Sequence, residues 1–269
     1  MAKTIWIKDS GVWKRVTSVW TKNAGVWNQI NVNNGPLPFG INGNQSFGGA
    51  GTFTVPDRIY RLSVTCNAGC MRGSYGLIGA KGGIVRAVFD VTPGEVFSIR
   101  VAPGGNSRGS SGTSSGNGGN ALVFGLGPSE VWLVAGAPGG YFFENPPGSS
   151  TFYGGEGGGT TGGTGAGSGG SVGGGGGGQS AGGTPNGAFL QGGDAGSLGG
   201  SYYGGGGGGG YYGGGGGDGP AQWGQSGGGG SSYGNIPSGR NGNVFDNTQS
   251  GGYFGGENIP ISPSIYINY

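Results

Sequence analysis

The chain has 269 residues, 78 of them Gly and 14 Pro, with 9% charged residues and a formal net charge of +2. Glycine at this level excludes coiled coils and helical bundles, since each Gly costs a helix about 1 kcal/mol relative to Ala, and it lacks the strict third-residue period of collagen. There is no His, which removes Ser-His-Asp and Cys-His catalysis, imidazole metal sites and His pH switches together.

In chain order, the first 32 residues are a repeat with a period of 14, residues 5–16 aligning with 19–30. Each copy reads strand, turn, strand, with DSG or NAG at the turn and Val and Trp flanking it at a period of two. Two such hairpins cannot bury four Trp alone. Trp6, Trp13, Trp20 and Trp27 are therefore expected to pack on each other or on another chain, making residues 1–32 a candidate attachment module; an extra sheet on the main domain is the plainer reading. Residues 33–49, rich in Asn, Gly and Pro, read as a linker.

A run of strands follows. Residues 52–56 and the alternating 60–66 come first; 84–91, a TPGE turn at 92–95 and 96–101 read as a hairpin. Residues 121–124, 131–135 and the alternating 264–269 complete a set that suits a small antiparallel β-sandwich over 50–138. The last segment, 257–269, carries a strand that returns to it. Cys66 and Cys70 read as two small residues at a strand end or as a short-loop disulfide.

Residues 139–256 are the glycine-rich half, with runs at 173–178, 204–210, 213–217 and 227–230 separated by small residues or aromatics. The runs read either as flexible coil or as polyproline-II-type helices, which have three residues per turn and no internal hydrogen bonds. Their N–H and C=O groups then point outward, and only Gly lets neighbours approach closely enough to share them. The similar run lengths, seven glycines spanning roughly 22 Å, favour a packed bundle with aromatics at its turns. Glycine-rich nucleotide-loop matches arise here from composition alone, no phosphate-binding loop with a Lys follows, and no carboxylate pair has glycosidase spacing. No enzymatic activity, metal or cofactor is expected.

Charge is uneven: residues 1–30 hold five bases and one acid, whereas 139–269 hold Arg240 and six acids. That argues against a nucleic-acid-binding role for the glycine-rich half. Its vocabulary of Tyr, Trp, Ser, Gly and Asn is instead that of contact surfaces. Tyr202, Tyr203, Tyr211, Tyr212, Trp223 and Tyr233 interrupt or border the runs and are the candidate contact residues; bundle caps are the alternative for each.

Several stretches resemble a glycine-rich domain of phage tail proteins: GTFTVP at 51–56, LSV at 62–64, FDVTPGEVFSIRVAPGG at 89–105, GGNALV at 118–123, WLVAGAPGG at 132–140 and GGGGSSY at 227–233. Similar motifs occur in the glycine-rich domain of anaplastic lymphoma kinase-type receptors, and the poly-Gly part is similar to the adhesins of T-even-like long tail fibres. The resemblance covers about residues 50–269. It implies a β-sandwich carrying a packed bundle of polyglycine-II helices, with end loops contacting the bacterial surface. The Trp repeat departs from the attachment region of those adhesins. The start lacks the apolar stretch of about 7–15 residues of a signal peptide, and no kinase domain is present. The expectation is therefore a virion tail-fibre or tail-tip protein, made in the host cytoplasm, docked through its repeat on other tail proteins and binding a host surface protein or glycan. A homo-oligomer such as a trimer is compatible with it. A purely structural tail or capsid-decoration protein is the alternative, and an ice- or surface-binding protein a third reading.

Overall fold

Alternation of apolar and polar residues decides which strand faces are buried, and the core follows from it. The computed structural model describes residues 6–9, 12–15, 19–23, 26–30, 43–72, 78–108, 114–143, 151–167, 172–196, 204–218, 224–248 and 262–269. The chain divides into two compact units, residues 1–43 with 269 and residues 44–268. In the first, β1 (Trp6–Asp9) pairs antiparallel with β2 (Val12–Arg15), and β3 (Val19–Asn23) with β4 (Val26–Ile30), as two separate two-stranded sheets. Trp6 lies opposite Arg15 and Trp13 opposite Lys8; in the second hairpin Trp20 lies opposite Gln29 and Trp27 opposite Lys22. The repeat is thus also a repeat of register. The side chains of these four Trp, and any contacts among them, lie outside the described residues.

The second unit contains β5 (Asn44–Phe47), β6 (Gly51–Thr54), β7 (Arg61–Asn67), β8 (Cys70–Arg72), β9 (Ile78–Lys81), β10 (Ile84–Asp90), β11 (Val96–Ala102), β12 (Ser114–Ser115), β13 (Ala121–Leu126), β14 (Leu133–Val134), β15 (Phe142–Phe143), β16 (Thr151–Phe152), β17 (Tyr233–Gly234), β18 (Gly242–Thr248) and β19 (Ser264–Asn268). Two five-stranded antiparallel sheets, ordered β18-β10-β7-β19-β5 and β17-β14-β13-β11-β6, form a β-sandwich. A β8–β9 ribbon and a three-stranded sheet, β12-β15-β16, complete the strands, and no described residue is helical.

Inward positions of the first sheet are Leu62, Val64 and Cys66 on β7, Val85, Ala87 and Phe89 on β10, and Ile265 and Ile267 on β19, all buried. Phe89 meets the second sheet edge-on, its ring 5.9 Å from Phe97 and 5.4 Å from Trp132, while Phe97 stacks on Phe124 at 4.8 Å. Each buried ring contributes about 1.5–3 kcal/mol by desolvation, with a further increment from edge-to-face geometry. No disulfide joins Cys66 and Cys70; complete burial pushes the Cys66 thiol above its ordinary pKa, so it behaves as a small apolar core residue.

Three sequence expectations are corrected. Residues 84–101 are not a hairpin: β10 and β11 belong to different sheets. Alternation cannot distinguish a strand's hairpin partner from its partner across a sandwich. Here the 92–95 turn docks on Val55, whose N–H donates to Glu95 O at 2.8 Å and whose carbonyl accepts from Gly94 N at 2.9 Å. The chain therefore crosses the core, and Phe89 faces Phe97. The linker at 33–49 ends early, because residues 44–47 are the edge strand β5. Finally, β17 and β18 fall within 139–256 yet belong to the sandwich. β18 was hidden by its polar sequence, GNVFDNT; as an edge strand with Phe245 exposed, it needs few apolar residues.

One ionic clamp closes the sandwich beside Trp132. Arg240 holds Glu95 through both guanidinium nitrogens, donates to Asp90 O at 3.1 Å and lies 4.9 Å from the Trp132 ring centre. Hydrogen bonds from Arg240 hold the Glu95 carboxyl below its ordinary range, the Thr92 N–H adding to this and partial burial opposing it. A lowered folded-state pKa means that this contribution is complete above the ordinary carboxylate range and is lost as the pH falls through the folded value. Glu95→Gln is accordingly expected to melt below the parent protein at pH 7, with the gap closing as the buffer is taken toward pH 3. A gap that persists in acid would rule out the ion pair as its cause.

Candidate functional site: a glycine lattice and its two ends

Beyond the sandwich the chain runs back and forth in short extended tracts whose amides bond to neighbouring tracts. Along residues 204–209 the N–H groups donate in turn to the carbonyls of Arg108, Gln225, Gly116, Gly193, Gly228 and Gly119, at 2.8–3.1 Å. Positions 205 and 208 both reach residues 225–228, and 206 and 209 both reach 116–119, so the partner recurs at every third residue. The carbonyls of 204–209 accept from Arg108, Gly217, Gly140, Gly105, Gly214 and Ala137. This tract is bonded on all sides, to six other segments.

Residues 225–231 repeat the arrangement. The amides of 226–231 donate to Ala166, Gly140, Gly215, Gly163, Ala137 and Tyr212, and the carbonyls of 225–230 accept from Gly205, Gly174, Gly155, Gly208, Gly177 and Gly158. Donors again change partner with a period of three, and six segments surround the tract. Side chains along residues 226–232 are small and bonded: Ser226 Oγ donates to Ala166 O at 2.7 Å, and Ser232 Oγ accepts from Gly136 N at 2.9 Å. Pro138 sits where no donor is required, its carbonyl accepting from Gly119 N.

Glycine is required by contact here. A Cβ on Gly207 would fall on the Gly214 carbonyl, and one on Gly228 on the Gly175 carbonyl. The outer tracts differ. YGGE at 153–156, TGGT at 161–164, AGGT at 181–184 and QGGD at 191–194 each expose their first and fourth residues and turn the Gly pair toward the lattice. Unbroken glycine marks an inner tract, and X-G-G-X an outer one.

The lattice has two ends. At the sandwich end, tracts continue directly into or out of strands at residues 102–103, 120–121, 134–135 and 232–233, and the chain reverses near 160, 180, 189 and 211. At the far end ten tract termini converge, at residues 108, 116, 141, 153, 167, 172, 196, 204, 218 and 224. Their placement follows from pairings such as Gly204 with Arg108, Gly116 with Tyr141, Ala166 with Tyr153, and Gly196 with Gly217. There Phe142 is buried over Gly224 and stacks near Phe152, with ring centres 6.2 Å apart.

Of the contact candidates, Tyr202, Tyr203 and Trp223 lie outside the described residues. Tyr211, Tyr212 and Tyr233 come together at the sandwich end, half-buried: Tyr211 stacks on Tyr233 with ring centres 4.0 Å apart and meets Tyr212 edge-on at 5.4 Å. The fourth member of this cluster is Phe189, one of the aromatics of the glycine-rich half but not among the contact candidates chosen from the sequence; its ring lies 5.4 Å from Tyr211 and 5.5 Å from Tyr212. Its one signal is an apolar pair, Phe189-Leu190, between two glycine tracts. Partial burial, with Tyr233 and Tyr212 alongside, raises the Tyr211 hydroxyl above the ordinary tyrosine range.

Among the described residues no group of three His, Cys, Asp or Glu side chains is placed to hold a metal ion. No family model matches the chain, and no curated protein matches it.

The lattice geometry makes a positional forecast. Gly207→Ala is expected to destabilise by at least the ~1–3 kcal/mol of an overpacked core and to speed amide exchange throughout 204–217. Thr164→Ala, on an exposed outer position, should stay within about 0.5 kcal/mol of the parent. Calorimetry and hydrogen exchange read both; equal effects at the two positions would show that the tracts are not packed in this way.

Proposed function

We propose that the glycine tracts are polyglycine-II helices packed as a bundle, and that the chain is a phage tail-fibre or tail-tip protein that uses the bundle to display loops to a host surface. The three-residue recurrence of partners supports the helical reading, since a screw of three residues per turn presents the same direction at each third amide. So do the six bonded neighbours of an inner tract and the prolines at 103 and 138, whose fixed φ suits that conformation.

The observation that carries the functional reading is the convergence of ten tract termini on the end away from the sandwich. A scaffold whose interior has no side chains can offer recognition only at its rim and its turns, and rigid elements that fix several loops at once are a recurrent basis for binding surfaces. Tyr202, Tyr203 and Trp223, next in sequence to the far-end termini Gly204 and Gly224, are the proposed receptor contacts; Tyr and Trp give large contact area at low entropic cost. The partner is a cell-surface protein or glycan. The Trp hairpins of residues 1–32 would dock on another tail protein through Trp6, Trp13, Trp20 and Trp27. The role is one of binding, not catalysis.

Virions carrying Tyr202→Ala, Tyr203→Ala and Trp223→Ala together are expected to adsorb to host cells at least tenfold more slowly, while the purified variant keeps the parent melting temperature. Unchanged adsorption by an intact, normally assembled particle would leave a structural tail or decoration role in its place.

A further inference from the structure

We propose that Phe189, Tyr211, Tyr212 and Tyr233 form a carbohydrate platform at the sandwich end of the lattice, taking the C–H face of a neutral pyranose. The site lies at the opposite end from the loops just discussed, so it does not depend on the adhesin reading.

The platform is built on a tight turn. Ala188 N donates to Gln191 O at 2.9 Å and Gln191 N to Ala188 O at 3.2 Å, leaving Phe189 and Leu190 at the tip. Leu190 has φ +56°, a left-handed conformation that a bulky L residue adopts only at a cost. Glycine would relieve it, and this chain has 78. The turn instead keeps Leu190, whose N–H donates to Tyr211 O at 3.1 Å, and beside it holds Phe189 at 49% exposure. Two unfavourable features at one turn, a strained Leu and a half-exposed Phe, fix an aromatic ring at the surface beside two tyrosines.

The ring geometry narrows the ligand. Phe189, Tyr211 and Tyr212 touch one another, with all three centre-to-centre distances between 5.4 and 5.5 Å and the planes steeply inclined. A cluster in mutual contact has no space for a cation between its rings, so it is not an ammonium cage. What remains free is outward ring surface with hydroxyl groups around it. Charge narrows the ligand further. The titratable groups acting on the Tyr211 hydroxyl are Tyr233 and Tyr212, with no acid or base among them. Arg240, the one base after residue 138, is occupied by Glu95. Among the described residues no carboxylate or cationic side chain acts on that hydroxyl, which favours a neutral ligand. A neutral sugar ring suits such a surface: its axial C–H groups meet the electron-rich aromatic face, and its hydroxyls can bond to the tyrosine hydroxyls and to the exposed Gln191 of the same turn.

The test is saturation-transfer NMR on the full chain with three neutral probes, maltohexaose, cellohexaose and N-acetylglucosamine hexamer, and one charged probe, a galacturonic acid hexamer. Expected is saturation of ring protons on one face of at least one neutral probe, with none for the charged one. Phe189→Ala should raise Kd at least tenfold while amide exchange across 204–217 stays at parent rates. Phe189→Trp, which keeps a ring at the tip, should retain binding. Absence of saturation from all three neutral probes, equal binding by Phe189→Ala, or preference for the charged hexamer would each overturn the proposal.

Discussion

The lattice depends on an amide of one tract meeting a carbonyl of the next with nothing between them. That contact needs backbones closer than a Cβ allows, at Gly207 against Gly214 and at Gly228 against Gly175, and the composition of the chain follows from it. A seven-residue inner tract with six bonded neighbours has no position from which a side chain can leave. Charged residues are rare for the same reason: an interior of shared backbone bonds offers no place for an ion and no water to solvate it. Polar side chains do enter where the geometry ends, and they replace lattice bonds there, as Ser226 and Ser232 do.

Such a network cannot stand alone. A backbone hydrogen bond is worth about 0.5–1.5 kcal/mol net, and fixing a residue costs ~1–2 kcal/mol, with Gly the most costly. An isolated tract stays unordered, and a free bundle is marginal. The β-sandwich changes the balance. Its aromatic core supplies desolvation energy that the lattice lacks, and four tracts are continuous with its strands, so their ends are already fixed when the lattice forms. The Arg240 clamp on Glu95 and Trp132 stabilises the same sandwich from its far edge.

The legible part of this architecture was the part governed by side chains. The alternation in residues 61–67 and 264–268 marks strands with one buried face, and both lie centrally in one sheet. Pairing was less legible. The TPGE turn invites a hairpin, yet Val55 captures its backbone groups and sends β11 to the other sheet. β18 escaped notice because an edge strand in a polar segment carries little apolar signal. Within the glycine half, composition indicated close backbone approach, but the inner and outer order was written in the X-G-G-X segments, a period that long glycine runs obscure. The aromatic positions were visible as interruptions, but whether an interruption falls at the sandwich end or the far end depends on the parity of the chain's passes. No local residue pattern records that parity, which is why the placing of Tyr211 and Tyr212 at the sandwich end could not be read from the sequence.

The division of labour between the two ends follows from this construction. Inner glycines cannot change without a clash, whereas exposed X positions share only their backbone groups, as Glu156 O and Thr184 O do, and their side chains are free to vary. Side-chain variety is therefore confined to surfaces that the lattice holds rigid but does not specify. At the sandwich end, strands and reversals lie together, and the aromatic cluster there is braced by bonds such as Leu190 to Tyr211. At the far end, ten termini are held by backbone bonds, with Arg108, Tyr141, Tyr153, Val172 and Asp218 among those termini beside the buried Phe142. Loops joined to such fixed points lose little entropy on closing, since their ends are already in place. Their sequences can change with little effect on the lattice beneath. In this chain, side chains at the rim can therefore vary while the stability of the interior stays with glycine.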